Sequence, residues 1–212
     1  MKVKLQNILP EEIEKRSFEM IGEELGAVEL DPMEEPVLKR VIHTTADFEY
    51  LNNLKFSEGA VAKGMDALRK GAVIVTDTQM AKAGINKATL ESLGGEAFCF
   101  MSDTDVAETA KAAGTTRATA SMDKAATLER PLILAIGNAP TALVRIYELI
   151  QEGKLKPELI IGVPVGFVNV VESKELIMEL DIPYIVAKGR KGGSNVAAAI
   201  CNALLYQCKP RA

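Results

Sequence analysis

The sequence predicts an α/β fold: a three-layer α/β/α sandwich with a mainly parallel sheet of about five strands, preceded by N-terminal helices. Three observations predict it. After Gly71 the runs AVIVTD (72–77), EAFCFM (96–101), PLILAIGN (131–138), ELIIGVP (158–164) and PYIVAKG (183–189) have strand length and are mostly near-continuous in apolar residues. Strands buried on both faces look like this. Helical stretches alternate with the runs, which argues for a parallel sheet covered by helices on both sides. The residues just beyond the runs, TDTQ, MSDTD, GNAPT, GVPVGF and KGRKGGSN, are small, polar or glycine-rich, and it is outside the carboxyl ends of such strands that open α/β sheets bind ligands.

Taken in order, Pro10 to Leu25 places Ile13, Phe18, Ile21 and Leu25 near a helical period, with Gly26 as a stop. A second helix is predicted over 32–48, with Val37, Leu38, Val41 and Ile42 on one face, and a third over 58–70, ending at Gly71. Between the strands, helices are predicted over 78–93 (broken near Gly84), 104–113, 116–128, 140–151, 170–180 and 195–206. No linker, low-complexity tract or internal repeat interrupts the chain. It reads as a single domain, 1–212, with N-terminal helices over about 10–70 and the parallel core over about 71–207.

Composition narrows the function. At 212 residues, 48% of them hydrophobic, the chain can bury a substantial core. Its 25 Lys and Arg against 29 Asp and Glu give a net charge of −4, without the basic excess of a protein that neutralises many phosphates, so no nucleic-acid partner is expected. Cys99, Cys201 and Cys208 are odd in number and form no CxxC. The last two, on one helix, would lie roughly 10 Å apart along the axis. Reduced thiols in a cytoplasmic protein are expected. The first residues, MKVKLQNILPEEIEK, turn acidic too early for a signal peptide, and no segment reaches the roughly 18 apolar residues of a membrane span.

Charge placement marks candidate contacts. Lys188, Arg190 and Lys191 stand just ahead of a predicted helix, with Gly189, Gly192 and Gly193 to let the backbone approach a ligand and Ser194 as its N-cap. Cations there are unfavourable unless an anion is bound. Arg117 likewise falls in a first helical turn behind Thr115 and Thr116, where an acid is preferred. For both sites the alternative is a solvated surface cation. Asp77, Thr78 and Asn138 sit at strand ends and join the candidates. No stretch matches the P-loop or a GxGxxG after a strand, which argues against a standard nucleotide and against a Rossmann-like oxidoreductase.

His43, in RVIHTTADFEY, is the sole histidine. On a helix it has Arg40 three residues back and Asp47 four ahead, both in reach on one face, with Thr44 adjacent. Asp47 is in reach to orient the ring, and whether it faces His43 or solvent is left open. A histidine titrating near 6.5 can donate or accept a proton at neutral pH, and the other reading is a structurally satisfied residue at a helix edge. No metal is expected, since one histidine and no clustered thiols leave a site built almost wholly of carboxylates.

The segments KRSFEMI, RVIHTTADFEY, GAVIVTDTQMAKAGI, GTTRA, AIGNAPTAL, GVPVGFVNVVESKE and AKGRKGGSNVAAAICNALL, in this order over residues 11–207, together resemble the precorrin-8X methylmutase family, also found as cobalt-precorrin-8 methylmutase. The resemblance implies an isomerase of cobalamin biosynthesis that moves a methyl group from C11 to C12 of a corrin precursor, giving hydrogenobyrinic acid or its cobalt form, cobyrinic acid, with no external cofactor. It implies that His43, at the HTTADF motif, is the proton donor or acceptor, that Ser17 of KRSF and Arg117 of TTR contact substrate, and that the protein works as an α/β homodimer with active sites near the subunit interface. The residues fit this chemistry independently. A suprafacial [1,5] shift needs no nucleophile or metal, only a tautomer poised to rearrange and a positioned proton donor. An acidic protein can hold a polycarboxylated ring only by concentrating cations and N–H donors locally, and Arg16, Arg40, Arg117, Arg190 and Lys191 with the GNAP, GVPVG and GGSN turns are the candidates. A non-catalytic corrinoid carrier is the alternative. Whether the substrate already holds cobalt is left open.

Overall fold

A computed structural model describes residues 8–209. The expectation of no leader rests partly on residues 1–7, which lie outside the described residues. All five predicted strands form: β2 (Val73–Thr76), β3 (Glu96–Phe98), β4 (Leu132–Ile136), β5 (Leu159–Gly162) and β6 (Tyr184–Ala187). A sixth, β1 (Leu54–Phe56), was not predicted. It is three residues long with Lys55 at its centre, so it carries neither an apolar run nor a full alternation. The sheet order is β1-β6-β5-β4-β2-β3, parallel throughout except for the antiparallel pairing of β1 with β6, Leu54 facing Ala187. The EAFCFM run leaves the sheet early, as Phe100–Ser102 form a 3-10 turn.

Helices α1 (Ile13–Leu25), α2 (Glu35–Thr45), α3 (Tyr50–Asn53) and α4 (Ala60–Arg69) precede the core, and α3 is the other element the sequence did not announce. Then come α5 (Gln79–Gly84), α6 (Lys87–Ser92), α7 (Thr104–Ala112), α8 (Arg117–Ala125), α9 (Pro140–Gln151), α10 (Val170–Met178) and α11 (Ser194–Cys208). The predicted break near Gly84 is real. Asn202 of α11 holds it, donating to the Gly84 carbonyl (2.8 Å) and accepting from the Asn86 N–H (2.8 Å), while Asn86 caps α6.

Both faces of the sheet are covered, which explains the near-continuous apolar runs. Ile74, Ile133, Ile161 and Ile185 pack with α2, α4 and α11 on one side. Val75, Leu134, Ile160 and Val186 pack with α8, α9 and α10 on the other. Helix α11 is the hub of the first layer, in contact with α2, α4 and α5, and α1 lies outermost on α2. Cys99, Cys201 and Cys208 are unbridged, and burial pushes the Cys201 thiol up to about 12. Among the described residues no helix is long and apolar enough to cross a membrane.

Candidate active site

With strands β2 and β4 adjacent and the chain winding outward from them in both directions, the sheet changes direction there, and the crevice outside their carboxyl ends is where such folds bind ligands. Here it holds the protein's own carboxylate. Asp77 is 1% exposed and accepts from the N–H groups of Gly137 (2.8 Å), Asn138 (2.8 Å) and Ala139 (2.6 Å) at the start of α9. Burial pushes its carboxyl above the ordinary range while these three donors pull the other way. Asp77, a candidate substrate contact from sequence, is therefore occupied in holding the GNAP turn.

Three further loops lock onto this turn. The Thr78 and Ser194 hydroxyls lie 2.7 Å apart. Gly137 abuts the start of α11, where a Cβ would come within 2.7 Å of the Ser194 Cα. Gly192 backs onto the Val163 carbonyl, which a Cβ would meet at 2.0 Å, and Gly193 donates to that same carbonyl (2.8 Å). Gly192 thus makes room for this chain's own backbone, and Gly193 for the Asn195 side chain, whose Oδ1 a Cβ would meet at 2.5 Å. Gly193 is also the N-cap of α11, so Ser194 is the first helical residue and not the cap expected of it.

The cations ahead of α11 divide. Lys191 forms ion pairs with Asp47 (2.5 Å) and Glu49 (2.8 Å), so its charge is cancelled and Asp47, lowered in pKa chiefly by that lysine, clamps the 188–193 loop instead of orienting His43. Arg190 is exposed, its guanidinium 5.3 Å from the centre of the Phe167 ring, and Phe167 is itself 79% exposed. The Gly189 carbonyl accepts a hydrogen bond from Lys174. On the far side of the GNAP turn Arg117 is exposed at the first position of α8, behind the Thr116 cap, whose hydroxyl reaches Thr141 of α9 (3.0 Å). Arg117 and the exposed Asn138 therefore share the rim of the strand ends.

His43 stands in the last turn of α2, which Ala46 ends in a left-handed conformation (φ 52°). The ring is exposed and lies 5.2 Å from that of Phe18 on α1. It opens on two hollows. One, of about 240 Å³, runs toward α1 past Ser17, Met20 and Phe48. The other, of about 260 Å³, runs along α11 past Thr44, Asn195, Ala198 and Asn202. Arg40, one turn back, lies over the Phe18 and Tyr206 rings (4.7 and 5.1 Å) and pairs with Glu14. It borders both the α11 hollow and a third, of about 470 Å³, between α1, α2 and the end of α11.

Ser17, Arg40, His43 and Thr44 are thus gathered around one groove, and Thr78, Asn138, Ser194, Arg190 and Arg117 lie along the strand ends that α11 joins to it. Arg16 is left out: it points along α1 to Glu19 and Glu23 and lines a separate hollow with Ile8 and Glu12. Sequence reasoning did not single out Phe18, Tyr206 or Lys174. The two aromatics read as ordinary residues of amphipathic helices, and nothing local in the sequence marks them as ring partners of Arg40.

The family model for precorrin-8X methylmutase matches residues 12–207. The cobalt-precorrin-8 methylmutase of Priestia megaterium is 48% identical over 197 residues, covering 93% of this chain and 88% of its own length. That of Leptospira interrogans is 47% identical, with 94% of each chain covered. The crystal structure of precorrin-8X methylmutase from Thermus thermophilus superposes with a TM-score of 0.84 at 40% identity, covering 93% of this chain and 97% of that one.

Proposed function

The chain belongs to the precorrin-8X methylmutase family, and from that premise we propose how its own residues carry the reaction. It is an isomerase, an intramolecular methyltransferase that moves a methyl group from C11 to C12 of precorrin-8X or its cobalt form in cobalamin biosynthesis. The migration is a rearrangement within the ring, so what the protein must supply is orientation and one proton transfer that selects the reactive tautomer. His43 is the donor or acceptor. The observation that carries this is its position: an exposed imidazole between two hollows at the meeting of α1, α2 and α11.

Ser17, Arg40, Thr44, Asn138, Arg117 and Arg190 supply the polar contacts to the peripheral carboxylates, with arginine forks suited to bidentate pairing. The two hollows beside His43, of about 240 and 260 Å³, are each smaller than the roughly 300–1,000 Å³ of ordinary ligand sites, and the imidazole between them is exposed on this chain. Met20, which lines the hollow toward α1, is 47% exposed, and Ile13 at the start of the same helix is 53% exposed. Both facts support a homodimer in which a second copy closes the groove. The unbridged thiols fit a cytoplasmic enzyme.

Anaerobic incubation with cobalt-precorrin-8 and with the metal-free precursor, followed by the visible spectrum, tests the reading. Conversion of either form is expected, and the rates say which is preferred. Binding without conversion would instead make the protein a corrinoid carrier.

A further inference from the structure

Lys174 on α10 is 0% exposed, yet among the described residues no carboxylate pairs with it. Its ammonium donates to two neutral acceptors, the carbonyls of Gly189 (2.7 Å) and Lys191 (2.9 Å). Other lysines near the site behave differently: Lys191 is matched by Asp47 and Glu49, and Lys124 by Asp103 and Asp105. A buried cation without a counter-charge is costly and is retained where something else gains from it. What Lys174 holds is the 188–193 loop, which also hangs from the GVPVGF loop by Gly166 N–H to Arg190 O (3.2 Å) and Gly193 N–H to Val163 O. That loop carries Arg190 outward and leads into Ser194 and the rim of the strand ends.

We propose that Lys174 is a positioning residue for the carboxylated corrin: from behind, it fixes the 188–193 loop through the Gly189 and Lys191 carbonyls, and it gives the rim a positive charge that only a bound carboxylate neutralises. The inference rests on the methylmutase reading and adds a residue to that site. A charge screened by protein instead of water acts more strongly on a nearby anion than an exposed lysine does.

Burial alone draws the Lys174 ammonium down to about 8. The charged or titratable groups on the elements around it are Glu172 and Glu175 on α10, Lys188, Arg190 and Lys191 on the loop, Tyr184 on β6, and Arg145, Tyr147, Glu148 and Glu152 on α9, where Arg145 is turned to Asp123 of α8. None of these hydrogen-bonds to its ammonium. Lys174 therefore stays largely charged at pH 7 and loses its proton as pH rises through about 8.

The test is the pH dependence of cobyrinic acid binding, measured by calorimetry between pH 7 and pH 9. The wild-type affinity is expected to fall about tenfold across that range as the charge is lost. Lys174→Met should bind about tenfold more weakly at pH 7 and show no slope. Lys174→Arg, charged throughout the range, should bind without a slope whether or not the Met variant folds. A flat wild-type profile, or a Met variant with the wild-type affinity and slope, overturns the inference while leaving the enzyme assignment intact. Failure of the wild type both to bind cobyrinic acid and to convert cobalt-precorrin-8 would overturn the functional reading, and this inference with it.

Discussion

Two parts of the molecule offer themselves as binding sites, and they are built in opposite ways. At the change of direction between β2 and β4, three N–H groups converge as they would on a phosphate, but the acceptor is Asp77, permanently in place and 1% exposed. Around His43 the ring is exposed, hollows open on either side, and the walls are helices laid on one face of the sheet. The contrast teaches that this chain spends the β2–β4 crevice of an open α/β sheet on holding its own turns, and leaves open hollows where α1, α2 and α11 meet. A nucleotide cannot compete for N–H donors already satisfied by a covalently attached carboxylate, which gives the missing phosphate fingerprint a structural counterpart.

The comparison is broken most directly by exchanging its consequences. His43→Ala should lower turnover by about 10²–10⁴, the range for a removed acid or base, while product binding stays within about tenfold. Because the ring is exposed, the urea midpoint should hardly move. Asp77→Asn should do the reverse. An amide turns N–H groups toward N–H donors and leaves buried partners unsatisfied, for a stability loss of about 2–4 kcal/mol, read from urea unfolding. A His43 variant that unfolds more easily than the Asp77 variant would erase the distinction.

How much of this was legible follows from how local each signal is. The five parallel strands could be read because burial on both faces writes itself into each run separately. β1 could not, because Leu54–Phe56 is a strand only by virtue of the β6 edge beside it. At the site, His43 drew notice as a lone residue and Arg117 as a cation in a first helical turn, features visible within a few positions. The job of Asp77 depends on β4 lying next to β2, and that of Asp47 on a lysine 144 residues away. Their partners are set by topology, which a local reading does not contain: it put Asp77 among the substrate contacts and left open which way Asp47 faces. Lys174 was hidden for the same reason: ESKE on a helix reads as a solvated face.

Arg117→Ala sharpens the boundary between the two regions, since this residue belongs to the rim of the framework and is proposed to serve the groove. If it holds a carboxylate, its loss should weaken product binding by about 1.5–3 kcal/mol with little effect on stability, measured by calorimetry and urea unfolding together. An unchanged dissociation constant would return Arg117 to the surface and confine binding to the α1–α2–α11 side.

The smallest expected effect separates framework from function within one side chain. Lys174 is lowered from 10.5 to about 8 in the folded protein. Between those values the unfolded chain binds the extra proton, so the cost of burying the charged lysine is greatest below pH 8 and is relieved as pH rises from 8 toward 10.5. Relative to Lys174→Met, the wild type should gain about 1 kcal/mol between pH 7 and pH 9, or about 2–4 °C in melting temperature. Affinity for a carboxylated corrin should move the other way over the same interval. A lysine serving only as internal packing would shift stability and leave binding flat, so opposite slopes from a single ionisation are the signature of a charge kept buried for the ligand's sake.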